Sequence, residues 1–481
     1  MNPTLLDELR GSLPTGRVED DPRATGTRAH DWWPRLLMRR RAGEDLPTPD
    51  AVVTPHDRDE LQRIMAWCHD NDVAVVPFGA GTGVCGGAAP VAGAITIDLK
   101  RINRILSLDE VTGAVTFEAG VVAERLEEWL NHRGWTLGHH PSSANCSTMG
   151  GFLAVRSAGQ ESAFYGKAED MLLGMEVLLA DGRLLRTTPQ PSSSSGIDLN
   201  RLFLGGEGTT GIITEATLRV WPKPEVDIDR GFLFPDVPTG LMAIRDLLRT
   251  GLRPHVFRLY DETDTAVVFS GQGLEVPQGC LAIIGCSGSH EIASFVARTA
   301  AGIMLAAGAQ DLGAAPGANW RAHRHNMSYR FASYFKPGGD FGDAVTLDTM
   351  EVAATWDRLH DVYLAVKAAL SEHVDLVLAH FSHVYPSGGN IYFTLGGVNS
   401  GDEQAALARY DAAWDAGQRA CLAAGGTLSH HHGVGLLRVP WLPLELGEVG
   451  MDVLASVKSA LDPKGLLNPG KLGLDGRPVN S

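Results

Sequence analysis

Two groups of side chains in this chain could move protons or hold a metal. The first is His380-Phe381-Ser382-His383, followed by Tyr392 in the apolar run Ile391-Tyr392-Phe393; the second is Ser429-His430-His431-His432-Gly433-Val434-Gly435. Each admits two chemistries. His380, His383, His430 and His432 could coordinate a zinc-like ion, since borderline-soft metals accept imidazole and a strand puts alternate residues on one side. The same rings could instead form a metal-free proton-transfer site that titrates near neutrality. An isolated histidine is most often a hydrogen-bonded core residue, but three in a row before Gly-x-Gly argue for chemistry.

Glycine marks a second kind of site. Gly81-Thr82-Gly83-Val84-Cys85-Gly86 fits GxGxxG after a strand, which raises a doubly wound dinucleotide fold. That motif has to open a helix, and Gly87-Ala88-Ala89-Pro90-Val91-Ala92-Gly93 cannot be a regular one. The denser run from Pro77 to Gly83 offers side-chain-free N–H groups in a tight curve, a nest able to bind a pyrophosphate without a helix. Two long stretches, Val73 to Ile97 and Thr136 to Val155, carry no Asp, Glu, Lys or Arg, yet their glycines and prolines exclude membrane spans. Buried loops of this kind need partners for their backbone, and a large polar cofactor threaded between them would supply those partners.

The series from Pro77 to Gly87, Gly138-His139-His140-Pro141-Ser142-Ser143, Ser147-Thr148-Met149-Gly150-Gly151, Arg156 to Gln160, Tyr165-Gly166-Lys167 and Gly205 to Thr214 resembles the vanillyl-alcohol-oxidase-like (PCMH-type) FAD-binding family in order and spacing. The resemblance implies that Gly79, Ala80, Gly81, Thr82 and Gly83, entered from Pro77, cradle the pyrophosphate. It places Thr148, Gly150 and Gly151 with Ser157, Gly159 and Gln160 along the ribityl chain and isoalloxazine, and brings Ile213 to the cofactor through its backbone. Pro141, Ser142, Tyr165, Gly166 and Glu207 complete the implied cofactor site. Some relatives tether FAD through a histidine where this chain has Thr82, and Cys146 stands where doubly tethered relatives carry a cysteine. A non-covalent, dissociable FAD is therefore expected.

The second half resembles FAD-linked 2-hydroxy-acid dehydrogenases, but these carry His-x-Gly-Asp-Gly-Asn-Leu-His and a later Glu-His-Gly suited to a metal. Here Tyr392 takes the place of the second His and His431 that of the Glu, so a metal site would lose an imidazole and its only carboxylate; no metal is expected. The triple His, Arg258 in Phe257-Arg258-Leu259, and Thr349 to Arg358 are similar to the alkylglycerone-phosphate synthase branch, from about His30 to Leu472. That resemblance implies a net non-redox transferase, in which an acyl-dihydroxyacetone phosphate exchanges its acyl group for a fatty alcohol through a flavin N5 adduct, forming an ether lipid. Tyr392, His430, His431 and His432 would manage protons, and Arg258 would serve substrate or organise the site. Lys336, in Ser333-Tyr334-Phe335-Lys336-Pro337, replaces an arginine of the branch and offers a point charge in place of a bidentate fork. An FAD-dependent dehydrogenase or oxidase of a hydroxy acid or alcohol is the second reading, and a flavin-binding protein without turnover the third.

The elements that must position these groups follow a mixed α+β pattern. Periodicity predicts a strand Ala51 to Val53, a helix Arg58 to Asp70, strands Val73 to Val76, Ala94 to Asp98 and Ala114 to Glu118, and a helix about Val122 to His132. Strand pairs are expected at Met171 to Leu179 with Arg183 to Thr187, and at Gly211 to Thr214 with Leu218 to Trp221. Pro222-Lys223-Pro224 marks a boundary, after Thr187 to Gly196 as a surface loop. Beyond it, helices are expected near Ile292 to Ala307, Trp356 to Leu370 and Ala405 to Ala423, with strands near Val256 to Tyr260, Cys280 to Gly285 and Asn390 to Leu395. The expected organisation is an N-terminal segment (1–45), an FAD-binding domain (46–224), an inserted α+β substrate or cap domain (225–440) and a tail (441–481) that completes the FAD domain. Trp32 to Arg41 sets four arginines beside apolar residues, a run able to touch a membrane or, preferably because it is short, to pack as a helix on the body.

The 481 residues carry a net charge of -16, with 41 basic against 57 acidic, which argues against a nucleic-acid binder. Six scattered cysteines without a CxxC read as a reduced, cytoplasmic protein. A small-molecule or lipid-like substrate is expected, with peripheral membrane contact and a homodimer left open.

Overall fold

The computed structural model describes residues 3–325, 345–398 and 401–474. Short β-branched and apolar runs set a first sheet, in which Ala51–Val53, Ile95–Asp98 and Val75–Phe78 run parallel and Val18–Glu19 pairs antiparallel at one edge. Parallel neighbours need crossovers. The helix Arg58–Asp70 makes the first, capped by Asp57, whose side chain accepts from the Glu60 N–H, and burying Leu61, Ile64, Met65 and Cys68 on one face. The second crossover, from Val75–Phe78 to Ile95–Asp98, is the glycine-rich loop itself.

A second, antiparallel sheet has the order Ile105–Asp109, Ala114–Glu118, Ile212–Arg219, Leu172–Leu178, Leu184–Arg186. The two strands expected between Gly211 and Trp221 are one, Ile212–Arg219. Register shifts at Ile213/Glu215 and Thr217/Leu218 interrupt the period without a turn, and Glu215, Ala216 and Thr217 pair with Glu118, Phe117 and Thr116. Residues 189–196 are exposed apart from the strand edges they leave.

The third sheet runs Gln310–Gly313, Val226–Phe234, Cys280–Gly288, Val256–Tyr260, Leu376–Phe381, Gly388–Val398, Val345–Thr355, with Val384–Tyr385 paired on Gly388–Val398. Side chains alternate across it. Phe257, Leu259, Ala282, Ile284, Phe381, Phe393 and Val352 join one core with residues of the helices Val237–Arg249, His290–Ala306, Leu359–Ser371 and Glu403–Ala423. The intervening Arg258, Tyr260, Ile283, His380, Tyr392 and Thr349 turn to the other face and line a cavity. Antiparallel register aligns Tyr260 with His380, His380 with Tyr392, and Tyr392 with Glu351, so four strands deliver one row of polar side chains.

Both chain ends tie the parts together. The run at Trp32 to Arg41 packs on the body: Arg35 pairs with Asp411 at 2.8 Å, Arg41 Nη2 donates to Glu403 at 2.9 Å, and the buried Trp33 indole donates to the Tyr410 hydroxyl at 3.0 Å. Arg35 and Arg41 are spent on the helix Glu403–Ala423, while Arg39 pairs with Glu44 and Arg40 meets His30. At the other end, beyond the helix Leu442–Leu461, Leu467 forms a parallel bridge with Val75, whose N–H donates to Leu466 O at 2.8 Å while Asn468 N–H donates to Val75 O at 2.7 Å. The buried Lys458 ammonium donates to Thr209 O and Leu467 O, both at 2.8 Å, and to Asp462 at 2.6 Å. Among the described residues no helix is long and apolar enough to cross a membrane.

Lys458→Ala leaves the Asp462 carboxylate buried without its charge partner, and breaking such a pair costs ~3 kcal/mol or more. Chemical denaturation of the variant should show a correspondingly earlier midpoint; an unchanged midpoint means that another contact holds the tail.

Candidate active site

A cavity of about 730 Å³ runs between the glycine loop and the polar row of the third sheet. Pro77, Gly79, Ala80, Gly81, Thr82 and Gly83 line it, as do Pro141, Ser142, Thr148, Gly150, Gly151, Ser157, Gln160, Glu207 and Ile213. Three expected residues stand behind its wall. A Cβ on Gly159 would lie 2.6 Å from the His140 nitrogen, so Gly159 lets two loops touch. Tyr165 packs edge-on against Trp221, ring centroids 5.0 Å apart, and Gly166 follows it out of the turn.

The lining fits a large polar cofactor. A Cβ at Gly79 would stand 2.3 Å from Thr148 Oγ1, so only glycine lets the loop close on Thr148, and both residues line the cavity. Asp31, upstream of the glycine loop and fully buried, accepts from the Trp33 N–H at 3.0 Å and faces the Ala88 and Gly86 N–H groups. Its Oδ2 has no partner among the described residues and borders the cavity, and burial pushes its carboxyl up to about 6. An orphaned carboxylate oxygen is costly unless a ligand hydroxyl or N–H satisfies it. Thr82 Oγ1 is engaged with Ser147 Oγ at 2.6 Å, while Cys146 lies outside the lining with its thiol raised by burial. Neither offers a covalent anchor.

The histidine loop is shaped by a carboxylate on another element. Glu351, on Val345–Thr355 and 0 % exposed, accepts from the backbone N–H groups of His430, His431 (3.0 Å) and His432 (3.0 Å), from Ser429 Oγ (2.9 Å) and from Arg438 Nη2 (3.0 Å). Burial alone would raise its pKa, but Arg438 and these donors outweigh burial and hold it below the ordinary value. From the opposite side Glu207 accepts from Val434 N–H at 2.6 Å and Gly435 N–H at 2.9 Å, its own carboxyl raised by burial to about 7. The substitution of His431 for a Glu therefore leaves the site with a carboxylate after all, supplied by the sheet.

With the backbone so held, His431 and His432 project into the cavity, where the Tyr392 ring meets His432 edge-on at 5.6 Å and stacks on His380 at 5.0 Å. His430 turns away from the lining. Its Nε2 meets the Tyr385 hydroxyl at 2.7 Å, its Nδ1 lies 2.9 Å from His431 Nδ1, and its carbonyl accepts from Lys167 at 2.6 Å, so it buttresses His431. Titration near neutrality is not what this burial produces: it lowers His432 to about 4, and holds His380, His383, His430 and His431 well below the ordinary imidazole value. These rings are neutral proton acceptors at pH 7. Tyr392 moves the other way, raised by burial to about 12 against a hydrogen bond from Thr349.

The metal alternative meets a different trio from the expected quartet. His383, His430 and His431 bring one ring nitrogen each within 4.8 Å of one another, without His380 or His432. His383 Nδ1 is engaged with Ser162 Oγ at 2.6 Å, and the nearest carboxylate, Glu351, is committed to Arg438 and the loop. Arg258 lies in the lining, its Nε donating to the Tyr260 hydroxyl at 3.0 Å. Lys336 lies outside the described residues. Glu351, Arg438 and Asp31 carry no role in the sequence reading; a lone Glu between Met350 and Val352, and a lone Arg after Leu436-Leu437, were the available signals for the first two.

Comparison with known proteins agrees with this geometry. Residues 49–188 match the FAD binding domain family, and residues 223–472 match the C-terminal domain of FAD linked oxidases. The alkyldihydroxyacetonephosphate synthase of Trypanosoma brucei brucei is 32% identical over 97% of this chain and 80% of its own length; that of Dictyostelium discoideum is 29% identical over 98% and 80%. A glycolate oxidase subunit of Bacillus subtilis (strain 168) is 29% identical over 88% of this chain and 89% of its own. A solved structure of alkyldihydroxyacetonephosphate synthase superposes with a TM-score of 0.81 at 26% identity, covering 98% of this chain and 85% of that one. The 4-ethylphenol oxidase from Gulosibacter chungangensis shares the fold, with a TM-score of 0.78 at 17% identity over 98% of this chain and 97% of that one. FAD is the cofactor of this chain.

Because Thr82 and Cys146 form no link, acid precipitation of the yellow protein should leave FAD in the supernatant. Flavin retained in the pellet would show a covalent anchor elsewhere in the lining.

Proposed function

Because the chain belongs to the family of FAD linked oxidases, carrying both its FAD binding domain and its C-terminal domain, we propose that it acts as an alkyldihydroxyacetonephosphate synthase-like transferase. In that reaction an acyl-dihydroxyacetone-phosphate-like substrate and a fatty alcohol give an alkyl ether and a free fatty acid, with no net oxidation. The observation that carries the reading is the shape of the cavity. It runs from the glycine loop beneath His431, His432 and Tyr392, past Arg258, into an apolar arm walled by Phe269, Leu281, Ile283 and Trp320. A polar reacting centre followed by Arg258, with Arg324 beside Trp320, and an apolar wall suits a lipid with an anionic head.

Several residues have definable work in this reading. The carbon beside the substrate ketone must lose a proton, and the neutral imidazoles of His431 and His432 are placed to take it. Tyr392, whose hydroxyl keeps its proton, donates a hydrogen bond to oxygen as the acyl and alkoxy groups exchange. Glu351 and Arg438 hold the loop, and Arg258 meets the anionic end. When bound, FAD supplies a ring that takes and returns an electron pair. Asp31, through Oδ2, adds a cofactor contact from outside the glycine loop. We also read residues 46–224 and the tail from 441 as the cofactor half and residues 225–440 as the substrate half, a division supported by the bridge from Leu467 to Val75. Cytoplasmic location with peripheral membrane contact is part of the same reading, supported by Val267, Leu274 and Val276, which are exposed near the apolar arm.

Mass spectrometry after incubation with palmitoyl-dihydroxyacetone phosphate and hexadecanol should detect the alkyl ether and palmitate. Rapid anaerobic bleaching of the flavin by glycolate or D-lactate, with no ether formed, would instead favour an oxidoreductase, the reading supported by the glycolate oxidase relative. Tyr392→Phe should lose ~10²-fold in turnover with FAD content unchanged, and full turnover would remove Tyr392 from the chemistry.

The pH dependence has a definite sign. The useful form of His432 is the neutral ring, and its folded pKa near 4 keeps it neutral well into acid. The acid limb of kcat/KM should therefore fall near pH 4 to 5 and not near 6.5; an inflection at 6.5 would mean that a more exposed imidazole is the base.

A further inference from the structure

Arg258 is held from behind by His380 and Asp264, neither of which the transferase reading employs. One of its Nη2 hydrogens meets His380 Nε2 at 2.7 Å. A guanidinium only donates, so Nε2 must be the accepting nitrogen and the ring proton must sit on Nδ1. That Nδ1 lies 3.1 Å from Asp264 Oδ2, which accepts it. Asp264 belongs to the first turn of the helix Glu262–Ser270, where its own N–H is fixed by Asp261, and it does not line the cavity. The relay is therefore Asp264 carboxyl, His380 imidazole, Arg258 guanidinium, with only the last two reaching the cavity.

The guanidinium is also fixed on its faces, with its carbon 5.4 Å from the Tyr260 ring centroid and 5.9 Å from that of Trp320. Nε is spent on the Tyr260 hydroxyl. Both Nη1 hydrogens and the second on Nη2 find no acceptor among the described residues, and Arg258 stands in the lining where the apolar arm begins. An immobilised fork of free N–H donors at that point matches an oxyanion.

We propose that Asp264 and His380 are positioning residues that lock Arg258 as an oxyanion fork for the head group of an apolar-tailed substrate. The inference rests on the lipid-like reading of the cavity but not on the head group's identity, since a phosphate ester and a carboxylate present the same pair of oxygens. A second proton on His380 would remove the acceptor and set a like charge against Arg258; burial keeps the ring neutral, and the fork stays in place.

The test is a binding titration of the FAD-loaded protein, followed by flavin difference absorbance, with dihydroxyacetone phosphate, laurate and dodecanol as separate probes. Wild type should bind at least one of the two anions. His380→Phe keeps a ring against Tyr392 but loses both polar contacts, and should weaken that anion ~10-fold or more while dodecanol binds within twofold of wild type. His380→Gln can both donate to Asp264 and accept from Arg258, and should recover most of the loss; Asp264→Leu should behave like His380→Phe. Anion binding unchanged in His380→Phe and Asp264→Leu overturns the proposal, as does an equal loss for dodecanol, which would mark a general collapse of the cavity. Wild type that binds neither anion also overturns it. Binding of laurate without dihydroxyacetone phosphate would refute the phosphorylated substrate of the transferase reading, while the variants still judge the relay on laurate.

Discussion

The carboxylate of Glu351 lies where no water reaches it, and the cost of stripping it of water, several kcal/mol for a buried ion, has to be offset by direct partners. Arg438 alone would neutralise the charge but leave lone pairs unmet. The remaining donors come from the Ser429 hydroxyl and three consecutive backbone N–H groups, and that requirement dictates the shape of the loop. With three successive N–H groups converging on one carboxylate, the rings they belong to stay close to it, His431 Nδ1 at 3.6 Å and His432 Nδ1 at 3.7 Å. The placing of His431 and His432 in the cavity lining is thus fixed by the same buried charge. Glu207 grips Val434 and Gly435 a little further along, so the same loop is fastened both to Val345–Thr355 and to the segment around Glu207.

The third sheet completes the arrangement with very little machinery. Because alternate residues face opposite ways, the strands that bury Phe257, Phe381 and Phe393 against helices must present Arg258, His380 and Tyr392 to the other side. Register then does what no local motif could, lining up residues more than a hundred positions apart. Charge is confined to the margins of this surface, at Arg258 and at the Glu351–Arg438 pair, while the rings between them stay neutral. In a poorly hydrated cavity that separation keeps the imidazoles available as proton acceptors.

Much of this could be read from the chain before any coordinates. Helix Arg58–Asp70 and strand Val256–Tyr260 have the expected bounds, because their apolar spacing and turn signals agree. The glycine loops and the triple histidine stood out since such residue types seldom serve packing. Val345–Thr355 was harder to recognise: Asp348, Thr349 and Glu351 interrupt an apolar strand pattern, and their polarity makes sense only once Tyr410 and Trp414, the cavity, and the histidine loop are known to be their neighbours. Asp31, Asp264 and Arg438 were illegible for a related reason. Their roles depend on which segments become neighbours in the fold, and nothing within a few residues of them records that. The pair expected between Gly211 and Trp221 fused into one strand because bulges break a period without a turn residue to announce them.

The bridge between Val75 and Leu467 closes a loop of about 390 residues, nearly the whole chain. During synthesis Val75 leaves the ribosome about 390 residues ahead of its edge partner. Until then the parallel sheet that begins and ends the glycine loop has an open edge, and Lys458 and Asn468 have not yet come to rest against Thr209 and Glu207. The edge of the sheet that carries the glycine loop is therefore covered only when the segment around Leu467 arrives.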